Sequence, residues 1–116
     1  MTEAELQKAV VDTAHLFGWR CAHFRPALTQ SGRWVTPVAA DGKGFPDLVL
    51  VSSTTVAFIE LKGTRGRESD EQKEWLSALT RVAGSAANGR VPLHVDVWKP
   101  ADWTSGAIEE FLRVNA

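Results

Sequence analysis

The sequence predicts an α/β domain, a mixed β-sheet flanked by helices in the order α-β-β-β-α-β-α. Three observations carry that expectation. Residues 3–17 and the segment after Ser69 place apolar side chains at spacings of three and four, the helical period. Residues 47–51 (DLVLV) and 55–62 (TVAFIELK) are short β-rich runs separated by a few polar residues, which reads as a hairpin. Residues 91–98 (VPLHVDVW) put Leu93, Val95 and Val97 on one face, the strand period.

Each element has its own local reason. The first helix carries Leu6, Ala9, Val10, Ala14 and Phe17 on its apolar side. Thr2 is its N-cap and Glu5, three residues on, completes a capping-box pattern, while Gly18 suits the C′ position. Residues 19–24 read as a short strand. Residues 26–44 (PALTQSGRWVTPVAADGKG) are rich in Pro, Gly and small polar residues and read as one long loop, of the kind that is often functional. After the hairpin, residues 63–67 form a flexible basic loop with two glycines. Ser69 caps the second helix with Gln72 as its capping-box partner, and Trp75, Leu76, Leu79 and Val82 supply the apolar stripe. Residues 84–89 form a small-residue loop. The tail, residues 102–114, reads as one terminal helix packing Ile108, Phe111 and Leu112, and Trp19 and Trp75 read as core.

A length of 116 residues with 44% hydrophobic and 23% charged side chains suits one globular domain, 1–116, with a real core. One cysteine, Cys21, excludes an internal disulfide and any multi-cysteine zinc site. That points to a reducing, cytoplasmic setting, with the nucleoid or the cytoplasm of a phage-infected cell included. The first 20 residues are amphipathic and acidic-first, unlike a signal peptide, and no run approaches membrane-spanning length, so no membrane partner is expected. Net charge is −1, which does not advertise nucleic-acid binding. The distribution says more. Arg20, Arg25, Arg33, Lys43, Lys62, Arg65 and Arg67 fall in loops or strand ends, whereas the acids concentrate on helical segments. A local basic surface and an ordinary mixed surface both fit.

The hairpin carries the chemistry. A two-residue turn at Ser53-Thr54 sets 52 opposite 55, 49 opposite 58 and Asp47 opposite Glu60. Lys62, two residues past Glu60, points the same way, so three charged groups converge at one end of the sheet. Like charges in opposed positions destabilise a sheet, and a divalent cation bridging the carboxylates would reverse the sign. A strand-opening Asp and a solvent-facing Glu-x-Lys pair are the ordinary readings of either half alone. Both halves at this spacing are harder to dismiss.

The ordered motifs Gly44-Phe45-Pro46-Asp47, Glu60-Leu61-Lys62 and Ser69-Asp70-Glu71-Gln72, with the amino-terminal TEAELQ followed by GW, resemble the VRR-NUC family of the PD-(D/E)xK, restriction-endonuclease-like superfamily. The resemblance spans roughly residues 3–103 and is of the stand-alone, Holliday-junction-resolvase-like type. It implies a divalent-metal-dependent endonuclease, hydrolysing phosphodiesters in branched DNA such as Holliday junctions, as a homodimer. It also implies Asp47, Glu60 and the Leu61 carbonyl as ligands of Mg²⁺, with Mn²⁺ able to substitute. Lys62 would orient the attacking water or neutralise charge on the phosphorane-like transition state. Gln72 matches the family's helix-borne glutamine, and its alternative is the helix cap alone. Of the first-helix acids, Glu3 shares a side with Leu6, Gln7 and Val10 and is the choice for the inward one, although Glu5 is the better capping residue.

Arg33, Trp34, Lys43, Arg65 and Arg67 are candidates for DNA contact, with solvated loop residues as the alternative. His15, His23 and His94 lack metal-ligand spacing. Two other functions stay open: a sequence-specific restriction-like nuclease, and a DNA-binding or assembly module that keeps the fold without cutting.

Overall fold

The computed structural model describes residues 1–24, 27–28, 30–35, 38–84 and 92–116, with the backbone alone at 27, 28, 34 and 35. The elements are α1 (Glu3–Leu16), β1 (Arg20–His23), β2 (Ala27–Leu28), β3 (Trp34–Val35), β4 (Leu48–Val51), β5 (Val56–Leu61), α2 (Asp70–Ala83), β6 (Leu93–Trp98), α3 (Pro100–Thr104) and α4 (Ala107–Val114). The main sheet has the order β1-β4-β5-β6, antiparallel except for the parallel β5–β6 pair. This is the α/β, mixed-sheet architecture expected of a restriction-endonuclease-like fold. No helix among the described residues is long and apolar enough to cross a membrane.

The β4–β5 register is the one the turn length implies: Leu48 faces Ile59, Val49 faces Phe58 and Val51 faces Val56. The Ser-Ser-Thr-Thr turn has a mechanism despite lacking glycine. Ser52 Oγ accepts from the Thr54 and Thr55 amides at 3.2 and 3.0 Å, and the Ser52 N–H donates to the Thr55 carbonyl at 2.9 Å. The carbonyl of Asn115 accepts from both Ser52 Oγ and Thr54 Oγ1, tying the C-terminal end to the turn.

One sheet face is the core. Leu48, Leu50, Ala57, Ile59 and Leu61 are fully buried against Leu6, Val10 and Ala14 of α1 and Ile108 and Leu112 of α4. Trp19 joins them, its indole N–H donating to the Leu112 carbonyl at 2.8 Å. The other face, with Val49, Val56 and Phe58, is only half covered.

Four expectations need correction. The 26–44 segment is not one structureless loop: β2 and β3 pair antiparallel around a turn where Gly32 takes φ +80°, a conformation glycine adopts without strain. The tail is two helices, because Pro100 starts α3 at its first turn and Gly106, at φ +83°, breaks the run before α4. The α2 stripe is not core: no α2 residue is buried, Val82 is 46% exposed, and Trp75 is half-buried with its indole N–H on the Asp41 carbonyl. Among the described residues, α2 and the 38–45 segment leave the sheet face beneath them half covered. Finally, Trp19, Asp47, Thr55 and Lys62 flank the strands rather than lie within them. Residue 91 and most of the 84–89 loop lie outside the described residues.

Candidate active site

Pro46 is buried and leads Asp47 to the edge of β4, where the backbone is held from both sides. The Phe24 amide donates to the Asp47 carbonyl at 3.1 Å. The Asp47 carboxylate accepts from the Leu61 amide at 2.9 Å, so a side chain supplies the next rung of the β4–β5 ladder. One residue along β5, Glu60 is fully buried, and neither of its carboxylate oxygens has a hydrogen-bond partner. Lys62 Nζ stands 3.8 Å from Glu60 Oε2, beyond hydrogen-bond length, with its side chain 15% exposed.

That arrangement is electrostatically expensive. Burial, and then the adjacent Asp47 carboxylate, push the Glu60 carboxyl up to about 9, while Lys62 pulls the other way. Ionised, this buried carboxylate has no donor on either oxygen, a state that costs stability unless something outside the chain satisfies it.

The first helix reaches this place through its N-terminus. The Glu3 carboxyl is raised by partial burial and by Asp47, with Lys62 opposing, so it lies within electrostatic reach of both. Glu5 is engaged elsewhere. It accepts from the Thr2 amide at 2.9 Å while its own N–H donates to Thr2 Oγ1, a completed capping box that lowers its carboxyl. Both side chains are exposed, and their carboxyls are perturbed in opposite directions.

Gln72 caps α2, its Oε1 accepting from the Ser69 amide at 2.8 Å and its N–H donating to Ser69 Oγ at 3.2 Å. It also lines a cavity of about 540 Å³ that includes Asp47, Arg33 and Lys43. Capping occupies Oε1, the amide's acceptor, and leaves the role of its Nε2 donors a separate matter. Lys43 pairs with Glu71 at 3.2 Å, in an exposed bridge of small energetic weight. Arg65 and Arg67 are exposed on the turn after Lys62 and do not line that cavity. The Trp34 side chain lies outside the described residues.

Two residues of the Gly44-Phe45-Pro46-Asp47 motif contribute in ways that the motif alone does not specify. Gly44 has φ +84°, and a Cβ there would stand 2.5 Å from the Glu71 carbonyl carbon and 2.6 Å from the Gln72 nitrogen. Only glycine lets this loop pass so close to the start of α2, and Gln72 and Asp47 line the same cavity. Its signal was present as the first residue of the Gly-Phe-Pro-Asp motif. The second is Phe45, packed edge to face on Phe24, Phe58 and Trp75 with ring centroids 5.4, 6.0 and 5.0 Å away. No periodicity connects those four rings.

Among the described residues no group of three or more His, Cys, Asp or Glu side chains forms a ready metal cluster. The donor set present is two carboxylates, one of them buried and unpartnered, which fits a hard divalent cation that keeps part of its water shell.

A family model described as the VRR-NUC domain matches residues 27–92, a span holding Asp47, Glu60, Lys62 and Gln72 but not α1. No curated protein and no solved structure matches the chain significantly.

Proposed function

The chain belongs to the VRR-NUC family, a nuclease domain family of the PD-(D/E)xK superfamily, and on that premise we propose that it is a divalent-metal-dependent endonuclease acting on branched DNA as a homodimer. The observation that carries the metal dependence is Glu60, fully buried and without a hydrogen-bond partner beside Asp47. A site with that donor set is satisfied by a cation and penalised without one.

Asp47 and Glu60, with the Leu61 carbonyl, would hold the ion, and their hard oxygens suit Mg²⁺ with Mn²⁺ as a substitute. Such an ion supplies Lewis acidity at the scissile phosphate and a more acidic water. Lys62 places its Nζ 3.8 Å from Glu60 Oε2, where it counters negative charge as it develops on the phosphate. Glu3 adds a third carboxyl within electrostatic range of Asp47 and Lys62, suited to orienting water. Gln72, on the cavity wall, positions phosphate or Lys62 through its amide donors. Arg33 and Lys43 share that cavity, and Arg65 and Arg67 extend the basic rim as contacts to flanking phosphates.

The preference for branched DNA and the dimer belong together. A small domain has little surface for reading base sequence, and two sites related by a two-fold axis would cut two strands of a junction. The test is cleavage of a four-way junction, a flap and a linear duplex with Mg²⁺ or EDTA. Wild type should cut the junction in Mg²⁺ only, and Asp47→Ala should bind but not cut. Retained binding with no cleavage of any substrate by wild type would leave only a binding module. Light scattering at micromolar concentration should give twice the chain mass, and a monomer would remove paired cleavage.

A further inference from the structure

The cavity beside Asp47 has more apolar wall than phosphate binding requires. Phe24 and Phe45 meet edge to face at 5.4 Å and 87°, and Phe45 and Trp75 at 5.0 Å and 82°. Over them runs the segment 38–45, tied down where the Trp75 indole N–H donates to the Asp41 carbonyl at 2.9 Å. A second hollow, of about 430 Å³, lies between this segment and the rings. It shares Phe24, Val38, Ala40, Gly42 and Phe45 with the 540 Å³ cavity that contains Asp47, Arg33 and Lys43, so the two are neighbours.

The covering segment is built, not incidental. The Gly42 amide donates to the Ala39 carbonyl and the Phe45 amide to the Gly42 carbonyl, both at 3.0 Å. Ala40 sits at φ +54°, a left-handed conformation that costs an L-residue energy and persists only where its surroundings enforce it. A Cβ on Gly42 would stand 2.6 Å from Val38 Cβ, so the turn is closed tightly.

In a continuous duplex the base faces are stacked, and only base edges, sugars and phosphates reach the surface. An aromatic-walled hollow next to a phosphodiester site is complementary to a base that has left the stack. Arg33 and Lys43, in the same cavity, complement the phosphates that flank such a base. The volume falls within the roughly 300–1,000 Å³ of small-ligand sites. We propose that the hollow between segment 38–45 and the Phe24–Phe45–Trp75 cluster receives one unstacked nucleobase of the strand being cut. The enzyme thereby selects phosphodiesters next to an interrupted stack. This rests on the nuclease reading and deepens it by naming the structural feature of the substrate that is read.

The test uses two duplex oligonucleotides that each carry one unpaired nucleotide at the same position, in one with its base and in the other as an abasic tetrahydrofuran analogue. Binding is measured by fluorescence anisotropy in EDTA at fixed salt, and cleavage at the adjacent bond in Mg²⁺. Wild type should favour the base-bearing substrate by about tenfold, as base–aromatic stacking supplies. Phe24→Ala removes one wall, and Val38→Phe, at a residue 38% exposed, fills the hollow. Each should bring the ratio close to one. Equal binding and cleavage of the two substrates by wild type would overturn the proposal, as would a full preference retained by Val38→Phe. A base preference in binding without cleavage of either substrate would sink the nuclease reading and leave the base pocket standing. Equal cleavage of both would do the reverse.

Discussion

Replacing Glu60 by Gln keeps the shape of the side chain and removes its charge, which separates what this residue does for folding from what it does for function. The folded protein holds the Glu60 proton up to about 9, whereas the ordinary carboxyl value is 4.5. Between those values the folded state binds more protons than the unfolded state. Its stability therefore falls as pH rises through that window and levels off above it. Each unit is worth about 1.4 kcal/mol, so at about pH 7.5 the ceiling on the penalty is about 4 kcal/mol. Relaxation around the coupled Asp47–Lys62 surroundings reduces this to about 2 kcal/mol, or about 5–10 °C in Tm for a chain of this size. The amide also brings a donor for the neighbouring Asp47 carboxylate.

Urea denaturation in EDTA at about pH 5 and about pH 8 reads the effect directly. Wild type should lose stability between the two, and Glu60→Gln should be nearly flat and the more stable protein at the higher pH. With Mg²⁺ added, wild type should gain stability by mass action and the variant should gain little, with no cleavage. Equal wild-type stability at both pH values in EDTA, or a variant less stable than wild type at pH 8, would refute the electrostatic account of the site.

Other consequences are accessible to the same assays. Gly44→Ala forces a Cβ into the α2 backbone at a positive φ and should cost about 2–4 kcal/mol in a urea melt, with cleavage reduced in the fraction that folds. Gln72→Glu keeps the capping acceptor but removes the amide donors, so stability should stay within about 0.5 kcal/mol while cleavage falls. A variant that is fully active would reduce Gln72 to a helix cap. Lys62→Met retains much of the apolar stem and should lower single-turnover cleavage by about 10²–10³-fold with little change in DNA affinity; a loss confined to affinity would make Lys62 a phosphate contact only.

Much of this arrangement was legible in residue order because it depends on neighbours along the chain. The capping boxes at Thr2–Glu5 and Ser69–Gln72 are contacts three residues apart, and both form. The hairpin register follows from a turn of fixed length, which sets Leu48 opposite Ile59 and brings Asp47 to the end of β5, where its carboxylate accepts from the Leu61 amide. Helical spacing sets Glu3 and Glu5 on different sides of α1, and their carboxyls are perturbed in opposite directions, Glu3 by partial burial and Asp47, Glu5 by its cap.

The burial of Glu60 was not legible, because strand alternation places it on the less apolar face, where a charged side chain ordinarily reaches water. Its burial depends on what is packed over that end of β5, and residue types along the strand do not encode how deeply it is covered. Nor did the α2 stripe reveal that its partner face would stay half open, since an apolar helix face states a need for cover without saying how much is available. The meeting of Phe24, Phe45, Phe58 and Trp75 joins residues far apart in the chain. The motif and its register are short-range and survive as pattern. The depth of the carboxylate and the shape of the hollow beside it are sums over long-range contacts, which exist only once α2 and segment 38–45 have closed on the sheet.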